Sequence, residues 1–281
     1  MDAMSTFKLR LARFVAPYPT DETTAPQRRG MTMLWWDNIL SSLSGAFYGD
    51  FEVLFLLALG ATSSIVGARA SIISAVGFLA PLLGAWLVER TGKRKFWALL
   101  GGGGLGRAAL LLMALAPFAL QGQSALTALV VLAAVQSFAG AASGPAANSL
   151  FADVVPLPIR GRFIGAQMIA SNLVRIAMIP LAGWMIKQIG GLEGYQVAII
   201  IAAVVGFAAT SVYARIPEAK TIEGLSHDLS RRSSFGEGLR LFLADRTFIL
   251  FCLINAVWNF GIQLCAPFFT MHMSQTLGFS V

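Results

Sequence analysis

Residues 84–95 read Gly84-Ala85-Trp86-Leu87-Val88-Glu89-Arg90-Thr91-Gly92-Lys93-Arg94-Lys95, and they separate two long apolar runs. The first run stops near Glu89, where the cations Arg90, Lys93, Arg94 and Lys95 crowd together, and the second begins at Phe96. Gly92 permits a tight turn because it tolerates positive φ. The cations hold the turn on the cytoplasmic side, where short loops of membrane proteins concentrate Lys and Arg. The stretch therefore reads as a polar turn joining two membrane-spanning helices.

Working outward, the chain holds seven apolar runs, at 34–59, 65–88, 96–118, 125–147, 163–187, 196–214 and 247–270. Each is long enough to cross a hydrocarbon core of about 30 Å at about 1.5 Å per helical residue. Composition agrees: 56% of the 281 residues are hydrophobic and 12% charged, against roughly a quarter charged in a soluble domain. The mean hydropathy is +0.70. With the N-terminus inside, 17 of the 21 basic residues fall in the inner segments: the first 30 residues, the 90–95 turn, Arg160 with Arg162, and the 215–246 loop. Lys187 and Arg69 fall on the outer side, and Arg107 and Arg175 lie within the membrane. The positive-inside rule fixes the orientation from that split.

The organisation expected is a cytoplasmic tail over 1–33, a six-helix bundle over 34–214, a cytoplasmic loop over 215–246, and a seventh helix with an outer turn over 247–281. The tail contains no apolar core followed by a cleavage site, though 7–15 suits a short interfacial helix or a frayed terminus. Leu277-Gly278-Phe279-Ser280-Val281 reads as the outer turn before another helix, so the expectation is a fragment of a longer protein.

The 84–95 stretch resembles the loop signature of the major facilitator family, G-x-L-a-D-r-x-G-r-k. Setting Glu89 on the acid aligns Arg90, Gly92, Lys93 and Arg94; the acid is Glu rather than Asp, and the leading glycine stands one residue early, at Gly84. A second segment, Ala152-Asp153-Val154-Val155-Pro156-Leu157-Pro158-Ile159-Arg160-Gly161-Arg162, is similar to the a-d-l-v-p-x-x-x-R-G-r loop of the same family. The antiporter signature G-P-x-x-G-G is mostly absent around Pro180, because Ile179 precedes it and Trp184 follows Gly183. The resemblance implies an all-α membrane protein of twelve helices, seven of them here, built as inverted three-helix repeats around a midplane site. It implies a secondary transporter of a small solute working by alternating access in a bacterial-type inner or plasma membrane. It also implies that Glu89, Arg90, Gly92, Lys93 and Arg94 form a gating latch, with Asp153, Arg160, Gly161 and Arg162 as a second inner loop.

Ionisable groups inside a bilayer are costly and default to functional candidates. Asp50, Glu52, Arg107 and Arg175 are four such groups. On an ideal helix, at about 100° per residue, Asp37, Ser41, Ser44, Tyr48 and Glu52 share one polar stripe. Glu52 is thus the candidate cavity carboxylate, open to proton binding, while Asp50 needs a partner cation; both could instead touch water near the outer headgroups. Arg107 and Arg175 sit at depths that allow pairing with Asp50, about 16 Å and about 18 Å along their helices. Arg175 shares a stripe with Gln167 and Ser171, suiting a solute contact or a structural ion pair alike. Asn255, Asn259 and Gln263 recur every four residues and make one polar face, as cavity lining or as interhelical glue.

Other chemistry is excluded. The Gly101–Gly106 run lacks the Lys-[Ser/Thr] of a phosphate loop and reads as close helix packing, as do Gly140 and Gly144. Pro81 and Pro145 are candidate kinks. His227 and His272 have no metal-ligand spacing around them, Cys252 and Cys265 form no disulfide framework, and no nucleophile–base set suggests catalysis. No cofactor, metal, nucleic acid or obligate protein partner is expected; the expected partners are a small solute, the bilayer and protons. A transport-dead receptor or scaffold and a membrane-embedded enzyme are the alternatives. The charge split gives one direct prediction: a reporter fused at residue 230 is read on the cytoplasmic side, and an external signal would reverse the topology.

Overall fold

The structure is a computed structural model that describes residues 23–217 and 244–275. The 7–15 segment, most of the 215–246 loop and the outer turn at 277–281 lie outside the described residues. The described chain is helical with no strand, and it forms two units, treated separately: a bundle over 23–217 and a single helix over 244–275.

The bundle runs α1 Ala25–Tyr48, α2 Glu52–Ala58, α3 Ser63–Thr91, α4 Arg94–Ala98, a π-helical segment Leu99–Leu105, α5 Gly106–Ala119, α6 Gly122–Val154, α7 Leu157–Ile189 and α8 Gly191–Tyr213. The second unit is α9, Arg246–Gln275. Six stretches are long and apolar enough to cross a membrane, with α1–α2 and α4–α5 each counting as one span. In α9 the shorter apolar portion is Arg246–Ile262.

The first span begins well before residue 34. Thr24 caps α1: its hydroxyl accepts from the Gln27 amide while Gln27 Oε1 accepts from the Thr24 amide at 3.0 Å. This reciprocal capping box, with proline in the first turn, fixes a helix start inside a polar stretch that hydropathy alone overlooks. The same span is interrupted at residues 49–51, where the Phe51 amide bonds to the Tyr48 carbonyl at 3.0 Å. A three-residue turn of this kind is tighter than α, so Glu52 follows Tyr48 across a turn rather than along one ideal helix. Gly92 adopts φ +68° at the end of α3, as its turn requires.

Helix pairing has a recognisable symmetry. The first span packs on the fifth and sixth (α7, α8), the fourth (α6) packs on the second (α3) and third (α4–α5), and the third meets the sixth. Exchanging spans one to three with spans four to six maps this set onto itself. Because each repeat holds an odd number of crossings, the two copies have opposite senses in the membrane, the arrangement of inverted repeats. Large apolar side chains on the outside, such as Phe78, Phe118 and Ile176, are at least 70% exposed, as lipid contact allows.

Backbone approach sets the packing. A Cβ on Gly84 would collide with the Ala142 carbonyl of α6. On the π segment, a Cβ on Gly101 would lie 2.7 Å from the Ala139 carbonyl oxygen, and one on Gly103 would strike Thr210 of α8. The glycine run thus lets the third span wedge between α6 and α8, and its wide turns close with Gly106 N–H bonding to Gly101 O. Gly140 and Gly144 are different: a Cβ on either meets nothing within 4 Å. Their spacing resembles a packing motif, but the interface of α6 with α3 runs through Ala142. Gly84→Ala is therefore expected to destabilise by about 1–3 kcal/mol through overpacking, whereas Gly140→Ala leaves thermal unfolding in detergent unchanged.

Candidate functional site

Lipid cannot hydrogen-bond, so polar side chains on spanning helices must meet one another, backbone carbonyls or water. The stripe Asp37-Ser41-Ser44-Tyr48 on α1 faces the bundle interior and does so in stages. Ser44, fully buried, donates to the Ala202 carbonyl of α8 at 2.6 Å. Arg107 of α5 reaches the same stripe, donating from Nη1 to Ser44 Oγ and from Nη2 to Ser41 Oγ, both at 3.2 Å. Gly206 of α8 makes room for its stem: a Cβ there would come within 2.6 Å of Arg107 Cδ.

Below Ser41, toward the charged-loop end, a cleft of about 170 Å³ opens between α1, the third span, α6 and α8. Asp37, Ser41, Arg107, Ser143, Thr210 and Tyr213 supply its polar wall, and Ala98, Gly102, Gly103 and Ala147 keep it open. Asp37 and Arg107 line the same space without forming an ion pair within 4.0 Å; the pairs among the described residues lie elsewhere.

Toward the other end, Glu52 is buried and joined to Arg69 of α3 by an ion pair, with a second contact from Arg69 Nε at 3.0 Å. The Tyr48 hydroxyl completes this group, donating to Gln136 Oε1 at 2.9 Å. Arg69, which the sequence assigns to the outer boundary, thus reaches inward to the carboxylate of the first span. Asp50 meets Arg175, Oδ2 to Nη2 at 3.1 Å. That pair is on the bundle's outer face, the two side chains 45% and 47% exposed.

Gln167 and Ser171 are engaged by α1. Gln167 Nε2 donates to the Leu34 carbonyl at 3.1 Å, and Asn38 Nδ2 donates to Ser171 Oγ at 2.8 Å and to the Gln167 carbonyl at 3.1 Å. They fasten α7 to α1 rather than extending the Arg175 surface. On α9, Asn255 and Asn259 are exposed and each donates to its own helix, to Phe251 O and Asn255 O. The side chain of Gln263 lies outside the described residues.

The two charged loops are joined. Arg94 pairs with Asp153 at 3.0 Å, and Lys95 Nζ donates to the Ile216 carbonyl at 2.8 Å. Arg90 stacks over Trp86 at 5.2 Å, and Arg160 donates to the Ala152 and Val155 carbonyls at 3.1 and 3.2 Å. Lys93 begins the turn into α4 with its amide 3.5 Å from Thr91 Oγ1. Glu89, Gly161 and Arg162 are exposed.

Asp37 is the residue that sequence reading underweighted. It lies on the polar stripe already recognised on α1, but close to residue 34, where the apolar run starts, so it reads as a boundary residue. The earlier helix start at Ala25 places it three turns inside.

A sequence model of the family described as Major Facilitator Superfamily matches residues 34–281. No curated protein and no solved structure matches the chain.

Burial separates the two carboxylates that adjoin the turn in the first span. Glu52→Gln strands Arg69 in a buried site and should cost about 3–5 kcal/mol, with the double variant Glu52→Gln/Arg69→Gln recovering much of it in a thermal double-mutant cycle. Asp50→Asn, at a half-exposed pair, should cost about 1 kcal/mol or less.

Proposed function

Because the chain belongs to the Major Facilitator Superfamily and is a multi-pass membrane transporter, we propose that it moves a small solute by proton-driven alternating access. The observation that carries this reading is the Asp50–Arg175 pair. Two charged side chains, each nearly half exposed, stand within spanning stretches, Asp50 in the turn at 49–51 and Arg175 on α7. Lipid would make that surface costly, so it suits a water-filled solute path. Asn172, exposed three residues before Arg175, continues the polar face by helical spacing.

In this reading residues 34–214 form one half of the transporter, the N-terminus and the 215–246 loop are cytoplasmic, and α9 opens the second half, where Asn255 and Asn259 would line the path. The Arg94–Asp153 and Lys95–Ile216 contacts tie the third, fourth and sixth spans at one end. A bundle tied in this way moves as a body, which rocking requires. The exposed Glu89 remains free to latch onto the other half, as the resemblance implies.

The test uses full-length protein in liposomes holding a pH dye. A panel of sugars, amino acids and small organic anions and cations is added against an imposed pH gradient. At least one member is expected to speed proton movement over protein-free liposomes, and Arg175→Gln to slow it about tenfold or more. In a background with Cys252 and Cys265 replaced by Ser, Asn172→Cys should react with a membrane-impermeant thiol reagent. Silence of the whole panel together with an unreactive Asn172→Cys would favour a receptor or scaffold.

A further inference from the structure

The third span is two α-helices joined by the π-helical stretch Leu99–Leu105. Its far part, α5, is firmly placed: Leu110, Met113 and Ala114 are buried in the main core, and Gln196 of α8 donates to the Ala114 carbonyl at 3.1 Å. Its charged-loop part, α4, is five residues long and rests on the partly exposed Arg94–Asp153 pair, on Lys95 at the Ile216 carbonyl, and on Ala98 beside Ala146 and Leu150. The stretch between them is wound wider than α, with Gly106 N–H reaching back five residues to Gly101 O. Wide turns of this kind hold an extra residue within an otherwise α-helical path.

Packing in this register explains three of the four glycines at 101–104. A Cβ on Gly101 would stand 2.7 Å from the Ala139 carbonyl oxygen, one on Gly102 3.0 Å from Ser143 Oγ, and one on Gly103 would strike Thr210. Gly104 is different: a Cβ there meets only the Leu99 carbonyl oxygen of the same segment, at 3.6 Å, an ordinary contact. Glycine weakens a helix interior relative to alanine, so the fourth glycine carries a cost that no contact in this register accounts for.

Winding the stretch down to α supplies the missing contact. With α5 fixed, the extra residue passes toward α4, which turns by about 100° and advances by about 1.5 Å. Each α4 Cα moves about 3.8 Å, and residue i+1 comes to stand where residue i stood. The sequence fits a step of one residue. The site against the Ala139 carbonyl passes from Gly101 toward Gly102, and the site against Thr210 from Gly103 toward Gly104. Leu100 follows Leu99, and at Asp153 Lys95 follows Arg94, cation for cation. Leu99 follows Ala98 beside Leu150, apolar for apolar. Gly92, with φ +68° and open space around it, can absorb the displacement at the start of α4.

We propose that the third span alternates between this π register and an α register one residue along, with the glycine run as the surface on which it slips. The step takes Lys95 from the Ile216 carbonyl, so the tie between the third and sixth spans opens while Asp153 keeps a cation. The device goes beyond the transporter reading and calls on neither solute nor proton, so the two stand or fall separately.

Pulsed electron-spin distance measurement tests it on the full-length protein in lipid nanodiscs. Nitroxides are placed on Phe96→Cys and Leu157→Cys, both exposed sites, in a background with Cys252 and Cys265 replaced by Ser. A side chain about 5 Å from the helix axis is carried about 8 Å by the turn, so the wild-type glycine run is expected to give two distances. Gly103→Ala, which strikes Thr210 in the first register, should shift the ratio toward the second by about tenfold or more, and Gly104→Ala should shift it the opposite way. Deletion of Gly104 removes the extra residue while leaving both flanks on their present faces, and should leave the first distance alone. A single distance with the wild-type run, two distances that survive the deletion, or a ratio that the two alanines move the same way overturns the proposal. Where one of these variants fails to fold, as size exclusion would report, the wild type and the remaining variants decide.

Discussion

Hydrocarbon offers no hydrogen bonds, and most of this structure follows from that absence. An apolar segment can cross only as a helix that satisfies its own backbone, and each polar side chain it carries must then find a partner on a neighbouring helix. α1 carries the most such groups, and their bonds explain its central position. Asn38 and the Leu34 carbonyl bind α7, Ser44 binds α8, Ser41 and Ser44 hold Arg107 of α5, and Tyr48 reaches Gln136 of α6. A helix tied to four neighbours by directional bonds cannot rotate or slide, so its polar stripe becomes the axis of the bundle.

The same solvent removes the hydrophobic drive between helices, because lipid is as apolar as leucine. Association must then come from close packing, and close packing needs glycine where backbones meet. Gly84 on Ala142, Gly101 on Ala139 and Gly103 on Thr210 are such places. Gly206 serves another end, since the space it leaves is filled by the stem of a charged side chain. Small residues therefore do two jobs here: some bring backbones together, and others hold open the polar cleft below Ser41.

What the sequence made legible was whatever depends on one segment at a time. The spanning helices, the turn at Gly92 and the polar stripe of α1 follow from hydropathy, torsional freedom and helical period. Partnership does not, because it depends on which face of another helix arrives opposite. Nothing local to Glu52 identifies Arg69, and nothing among 28 glycines distinguishes Gly84, which touches a neighbour, from Gly140, which does not. The start of α1 was missed for a different reason. A capping box at Thr24 and Gln27 works through hydrogen bonds in polar sequence, and a search for apolar runs begins too late to find it.

The charges inside the bundle also divide by what their surroundings permit. Glu52 and Arg69 are paired with their side chains only 9% and 13% exposed. The pair joins the first and second spans. Arg107 is set differently. It emerges just past the π segment, beside a cleft walled by glycine and alanine, with serines above and a carboxylate below. A side chain at Gly103 would strike Thr210, so part of that wall is small because a neighbouring helix stands against it. Open polar volume beside Arg107 sets it apart from the enclosed Glu52–Arg69 pair.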